Sequence, residues 1–203
     1  IWGDVVQVIA AAPTQNQWFS KRLGLSCTLV YMPDHSTRPT DPAYARAFTS
    51  LSDAFPYLFI SHASLADLNT RLTPLPMDRF RPNLVVYGGT PYQEDSWRGV
   101  RVGTCLFELV KPCARCAITT IDQHTGQRSA EPLATLAGYR RRMADKSVKV
   151  DFGMNAVATS GGTVRCSAPT SESRSDTRAG SRSRSPAIDG PPPMTTISGS
   201  KAA

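Results

Sequence analysis

The stretch Lys111-Pro-Cys-Ala-Arg-Cys-Ala-Ile-Thr-Thr-Ile-Asp122 places Cys113 and Cys116 at Cys-x-x-Cys spacing with Arg115 between them. Such a pair has three ordinary readings. A zinc site needs four ligands, usually two such pairs or a histidine pair. No second pair is present, and His35, His62 and His124 lack ligand spacing, which argues against zinc. A thioredoxin-like pair should open a helix after a strand. Here Cys116 leads into the β-branched run Ile118-Thr-Thr-Ile121, which predicts a strand instead. The plain structural reading is two small side chains on a strand. Against it stands Arg115, a fixed cation beside a thiol, which favours the thiolate and suits an anionic ligand. A thiolate is in turn a natural ligand for a soft or high-valent transition metal.

The elements that would position this segment alternate between strand and helix signals. Strands are predicted over residues 5–9, 27–32, 57–60, 83–87, 100–110 (broken at Gly103) and 117–121. Pro13-Thr14 opens a helix in which Trp18, Phe19 and Leu23 share a face, with Gly24 as its stop. Ser64 reads as the N-cap of a second helix carrying the stripe Leu65, Leu68 and Leu72. Pro132 reads as the first residue of a third, whose face runs through Leu133, Leu136 and Met143, with Arg140, Arg141 and Arg142 at its C-terminal end. Residues 33–52 are polar and proline-rich and read as a long loop, and residues 122–126 as a turn. Many strands and few helices favour an α+β fold that is mainly β, a barrel with peripheral helices, over a doubly wound sheet.

Bulk properties narrow the setting. The chain has 203 residues, enough for one sizeable core and a tail, and 40% of them are apolar. No apolar run reaches bilayer-spanning length, and no secretory leader is recognisable, so no membrane span is expected. Five cysteines without an even, closely spaced framework suggest reduced thiols in a cytosol-like compartment. The chain starts at Ile1, as a processed or fragmentary chain would. Composition divides it into a domain over residues 1–164 and a tail over residues 165–203 that lacks aromatic residues and contains Ser181-Arg-Ser-Arg-Ser185 and three consecutive prolines. Such a tail cannot bury enough apolar area to offset its ordering entropy and is expected to be disordered. Six of its residues are basic and three acidic, against a net charge of +7 for the whole chain. A solvated tail explains the surplus first, an anionic-cofactor pocket second and nucleic acid third.

Four blocks, in order, resemble one family: Phe80-Arg-Pro-Asn-Leu-Val-Val86, Glu94-Asp-Ser-Trp97, Val110-Lys-Pro-Cys-Ala-Arg-Cys-Ala-Ile-Thr-Thr120 and Glu131-Pro-Leu133. Together they resemble the MOSC (molybdenum cofactor sulfurase C-terminal) domain, and within it the branch of the amidoxime-reducing components and their bacterial relatives. The resemblance implies a molybdenum-molybdopterin cofactor, with Cys116 as the catalytic thiolate ligand to the metal. It places Arg115 and the backbone of Ala114 beside the cofactor, makes Arg81 and Asn83 pterin contacts, and adds Asn155 and the Ser52-Asp53 loop as further contact regions. Cys113 lies beside the site and is not a ligand. The family is also associated with pyridoxal phosphate binding. Each residue has a plainer role open to it: Arg81 in a surface ion pair, Asn83 capping a strand end, Asn155 in a turn.

The implied reaction passes two electrons to an N-hydroxylated substrate, whose N–O oxygen leaves as water. A separate electron donor, a reductase or a small electron-transfer protein, must supply the electrons. The implied location is cytoplasmic, or mitochondrial in a eukaryote. Other readings are a persulfide sulfur carrier at Cys116, and an inactive remnant whose basic tail binds nucleic acid. Two departures are expected to matter. Members of the branch carry an N-terminal MOSC-type β-barrel domain that this chain lacks. After Arg165 the sequence also turns to low complexity where the family would add a last strand, as a reading-frame change would produce, leaving sheet edges open.

Overall fold

The computed structural model describes residues 1, 3–144, 146–166, 195–197 and 199–200. It divides into two compact units, residues 1–56 and 57–203.

In the first unit, strands β1 (Ile9–Ala10) and β2 (Val30–Tyr31) pair antiparallel and flank helix α1 (Pro13–Leu23). Proline at the helix start and Gly24 in the left-handed region (φ 68°) close α1 where the sequence predicts. The helix buries none of its residues, and Trp18 is largely exposed. The predicted strands at 5–9 and 27–32 shrink to two residues each. The backbone of the loop is gathered by buried Arg38, which donates to the carbonyls of Ser50, Ser52 and Asp53 at 2.7–3.2 Å and pairs with Asp4.

The second unit is built on one curled, half-barrel sheet. Its strands are β3 (Tyr57–Ser61), β4 (Leu84–Val86), β5 (Gly99–Val102), β6 (Cys105–Ala114), β7 (Arg141–Ala144) and β8 (Ser147–Ala158), followed by β9 (Thr195–Ile197) and β10 (Gly199–Ser200). The order is β10-β4-β3-β8-β6-β5-β9, with β7 paired to the first half of β8. β3 and β4 run parallel, joined through helix α2 (His62–Asn69) and a 3₁₀ turn at Met77–Phe80. The other pairs among β3 to β8 are antiparallel. Most of the tail expected to be disordered lies outside the described residues. The β9 and β10 backbones pair with β5 and β4, the outer strands of the rest of that sheet.

Both faces of the sheet are packed, so β3 and β4 read as continuous apolar runs. Phe59, Val86, Val100, Val102, Phe107, Leu109, Met154 and Ala156 fill one side. Leu58, Ile60, Leu65, Leu68, Phe80, Val85, Leu136 and Phe152 fill the other. Phe152 and Met154 are two residues apart yet face opposite cores, which strict alternation forbids. Gly153 makes the switch. Its φ of 81° bulges β8, and the register with β6 shifts between Pro112 and Ala114.

Three local expectations are corrected. The N-cap of α2 is Ser61, whose hydroxyl accepts from the Ser64 amide at 3.0 Å; the hydroxyl of Ser64 is instead bonded to Glu94. Helix α3 (Leu133–Ala137) stops before Gly138, and residues 141–144 form β7, because pairing with β8 satisfies backbone groups a short helix would leave open. Residues 117–120 form a 3₁₀ turn rather than a strand. There the hydroxyls of Thr119 and Thr120 donate to the carbonyls of Cys116 and Ala117, the local bonding by which threonine competes with a ladder.

Candidate functional site

The Cys-x-x-Cys segment sits where β6 leaves the sheet. β6 ends at Ala114, and one more rung, Arg115 N–H to the Val150 carbonyl at 2.8 Å, carries the pairing to the residue before Cys116. The chain then turns. Cys116 is extended (φ −102°, ψ 176°), and its carbonyl accepts from both the amide and the hydroxyl of Thr119. Thr119 is fully buried. The Cys116 backbone is therefore fixed while its side chain is exposed, the condition a protein ligand to an external group requires.

Arg115 is half-buried and spends its guanidinium on two neighbours. Nη2 donates to the Phe80 carbonyl at 2.7 Å and Nη1 to Cys113 Sγ at 3.0 Å, with the Cζ 5.8 Å from the centre of the Phe80 ring. The sequence sets this cation between two thiols; in the structure the sulfur it meets is that of Cys113. Its third donor, Nε, is buried without a partner among the described residues. Ala114 is exposed at the strand end.

Phe80 closes the 3₁₀ turn that precedes Arg81, so Arg115 ties the cysteine loop to the Arg-Pro-Asn segment. Arg81 is exposed and adopts φ 54° and ψ 47°, a left-handed conformation uncommon outside glycine. Two further bonds brace that turn. Buried Arg79 pairs with Asp122 at 2.8 Å, and Gln123 Nε2 donates to the Asp78 carbonyl at 2.6 Å. Asp122 itself caps the turn at 122–126 by accepting from the amides of His124 and Thr125, which with the Thr125 hydroxyl and Arg79 holds its carboxyl below the usual range.

Asn83 and Asn155 are brought together with each other but not with Cys116. The Asn83 side-chain carbonyl accepts from the Leu58 amide at 2.8 Å, and the Asn83 amide donates to the Leu58 carbonyl at 3.0 Å. On the other side of β3, Leu58 is the register partner of Asn155, which in turn faces Lys111 on β6. Asn83 thus performs the strand-capping role open to it from sequence, and Asn155 is a mid-strand residue just past the Gly153 bulge. Lys111 precedes Cys116 by five residues, roughly 16 Å of extended chain. A cavity of about 490 Å³ lined by Tyr57, Asn83, Leu84, Cys105 and Phe107 lies on the Asn83 side. Ser52 and Asp53 belong to the first unit, where Arg38 holds their carbonyls.

Sequence reasoning missed Arg79 and the role of Glu94. Glu94 is fully buried, its Oε1 accepting from the Ser61 amide at 3.1 Å and the Ser64 hydroxyl at 2.7 Å. It locks the β3–α2 junction to the turn at Gln93–Ser96. A signal was present, since Glu94 opens the Glu-Asp-Ser-Trp block, but nothing in the block says that this acid points inward.

Comparison with known proteins then decides the family. The model of the MOSC domain matches residues 48–170, more than half of the chain. The chain belongs to the MOSC domain family. Among relatives of this MOSC chain, a rice (Oryza sativa subsp. japonica) protein named molybdenum cofactor sulfurase is 36% identical over 180 residues, covering 76% of this chain and 21% of the relative. The mouse (Mus musculus) mitochondrial amidoxime-reducing component 1 is 40% identical over 146 residues, covering 68% and 42%. Its human (Homo sapiens) counterpart is 41% identical over 126 residues, covering 58% and 37%. The MOSC chain therefore spans about a fifth to two fifths of the length of these relatives. The mainly β fold and the family expected from the four sequence blocks both hold. No helix among the described residues is long and apolar enough to cross a membrane.

Proposed function

We propose that this chain is the molybdenum-cofactor-binding domain of an oxidoreductase that reduces N-hydroxylated compounds, with Cys116 as the protein ligand to the metal. The observation that carries the reading is an exposed, backbone-fixed thiol at Cys116 next in sequence to Arg115, whose buried Nε–H has no partner among the described residues. The residues fit the group the family implies. A thiolate at Cys116 offers the soft ligand. The Arg115 Nε, the exposed guanidinium of Arg81 and the backbone at Ala114 offer donors and positive charge to a phosphate-bearing pterin. The side-chain amide of Asn83, with its carbonyl already committed to Leu58, and Asn155 would meet the group farther along the sheet.

When bound, the pterin-dithiolene molybdenum centre supplies the two-electron reduction in which the substrate's N–O oxygen leaves as water. What the chain contributes is placement. Thr119 and the rung to Val150 hold the Cys116 backbone, and the bond from Arg115 to Phe80 keeps the Arg81 turn beside the cysteine loop. Names of the mouse and human relatives support reduction of amidoximes, and an external electron donor is part of the proposal.

The test is to load the chain with molybdenum-molybdopterin and compare it with Cys116→Ser. Stoichiometric molybdenum, one protein sulfur in its X-ray absorption spectrum that vanishes in the variant, and benzamidoxime reduction by a chemical reductant are expected. An unchanged metal environment in Cys116→Ser overturns the ligand assignment. The exposed thiol and the name of the rice relative favour one second reading, a persulfide carried by Cys116. Sulfane sulfur on Cys116 without molybdenum would select it.

A further inference from the structure

β7 and β8 form a hairpin that leaves the sheet at the cysteine loop. Its base is bonded directly to that loop, because Val150, the partner of Arg141, accepts the Arg115 amide. Across the hairpin Met143 faces Val148, and both point outward, 69% and 57% exposed. Arg141 is exposed on the same face, and Lys146, at the turn with φ 59°, is exposed too. On the opposite face Arg142 and Lys149 are directly paired, a like-charge juxtaposition that costs stability in a hairpin unless it serves another end. Of the three consecutive arginines 140–142, Arg140 is bonded to Asp95 at 2.6 Å and Arg142 to Asp151. Among the described residues, Arg141, Lys146 and Lys149 form no ion pair.

An exposed apolar pair framed by surplus positive charge is the composition of a transient docking patch: a small dry centre and a charged rim that steers an oppositely charged partner. Its place matters as much as its composition. The patch lies two to three residues of strand from the rung at Arg115, roughly 10 Å. A protein docked there sits next to the Cys116 loop without covering it.

We propose that the outward face of the β7–β8 hairpin (Arg141, Met143, Lys146 and Val148) docks the acidic surface of a small electron-carrier protein. This rests on the reductive function proposed above. In balance, the carrier is oxidised by two electrons in all. With two protons from solvent, the N–O bond of the substrate breaks to give the N–H product and one water.

The experiment measures binding separately from turnover. Three acidic carriers serve as probes: a plant-type [2Fe–2S] ferredoxin, a flavodoxin and the soluble domain of a b-type cytochrome, with basic cytochrome c as the control. At low salt at least one acidic carrier binds the wild type, and affinity falls as salt rises, while the control does not bind. Charge reversal in Arg141→Glu/Lys146→Glu weakens binding by about tenfold or more, and Met143→Ser/Val148→Ser weakens it without changing the salt dependence. Both variants keep the wild-type melting temperature and, when loaded, the turnover driven by chemical reductant. Binding of none of the three acidic carriers, or binding unchanged by the charge reversal, overturns the docking surface. Loss of chemically driven turnover in the wild type, with charge-sensitive binding intact, overturns the reductase reading and leaves the surface standing.

Discussion

The Arg115 guanidinium reaches across to the Phe80 carbonyl at 2.7 Å, joining two loops that lie 35 residues apart in sequence. One loop carries Cys116, the proposed metal ligand, and the other carries Arg81, a proposed pterin contact. The joint depends on the fork of the guanidinium, since Nη1 is engaged by Cys113 while Nη2 takes the carbonyl. A lysine keeps the charge but has no second arm. Arg115→Lys is therefore expected to destabilise the domain by about 1–2 kcal/mol, read as a shift in urea midpoint with unchanged slope. It should weaken molybdopterin retention more than its stability loss explains. Retention equal to wild type would show that the loops need no such tie.

Gly153 gives the sharpest backbone prediction. With φ 81°, a Cβ there would stand 2.7 Å from both Ile60 Cγ1 and the Phe59 carbonyl. Gly126 has a similar φ of 74° but open space around it. Gly126→Ala should cost only the conformational term, about 1 kcal/mol. Gly153→Ala adds a clash against β3 and should cost about 3 kcal/mol or more. Matched denaturation curves check the pair; equal losses would mean that β3 yields and the bulge is not pinned.

How far the sequence could carry this reading follows from what each residue advertises. The strands at 57–61 and 84–86 were legible because apolar runs bounded by turn residues declare themselves. The break at Gly103 and the α1 stop at Gly24 were legible because glycine marks a left-handed turn, though the break reads as a bulge or turn in one strand and is a hairpin between two. The four-block resemblance led to the family because it was spread over separate elements. The 3₁₀ turn after Cys116 was not legible, since Ile118-Thr-Thr-Ile121 has strand composition and only the threonine hydroxyls, turned onto their own backbone, decide otherwise. Nor was β7: Arg140 to Met143 fits a helix end as well as a strand until its partner is known. The sulfur met by Arg115 was out of reach for the same reason, because spacing gives neighbours along the chain and not the direction of a side chain.

Glu94 is expected to matter for stability well beyond its place in a short turn. Truncation in Glu94→Ala would leave the buried Ser61 amide and Ser64 hydroxyl without their shared acceptor. The Ser64 hydroxyl can turn to Ser61 Oγ, 2.7 Å away, but the stranded Ser61 amide costs about 1–3 kcal/mol. Glu94→Gln keeps an acceptor oxygen at that place and, for the unpartnered Oε2, offers an uncharged amide instead. It should retain most of the stability that alanine loses. Thermal unfolding of the two variants checks this, and equal losses from both would mean that the charge, rather than the acceptor, is what the site needs.

Asp95 makes the fold pH-sensitive in an unusual direction. Burial raises its carboxyl above the ordinary value, and the hydrogen bond from Arg140 only partly offsets that. Its Oδ1 is buried without a partner among the described residues. A raised folded-state value means that the native protein holds a proton which the unfolded chain has already released. Stability from this group is therefore present below the unfolded carboxylate value and is lost as pH rises through the folded one. Asp67 and Asp122 are shifted the other way, so their contributions vanish as pH falls. Asp95→Asn removes only the first dependence. Across the pH range just above the ordinary aspartate value, the difference in stability between the variant and the wild type should drift steadily in favour of the variant. Urea midpoints taken at closely spaced pH values measure that drift. A difference that stays flat, or drifts towards the wild type, would show that Arg140 and not burial governs the Asp95 carboxyl.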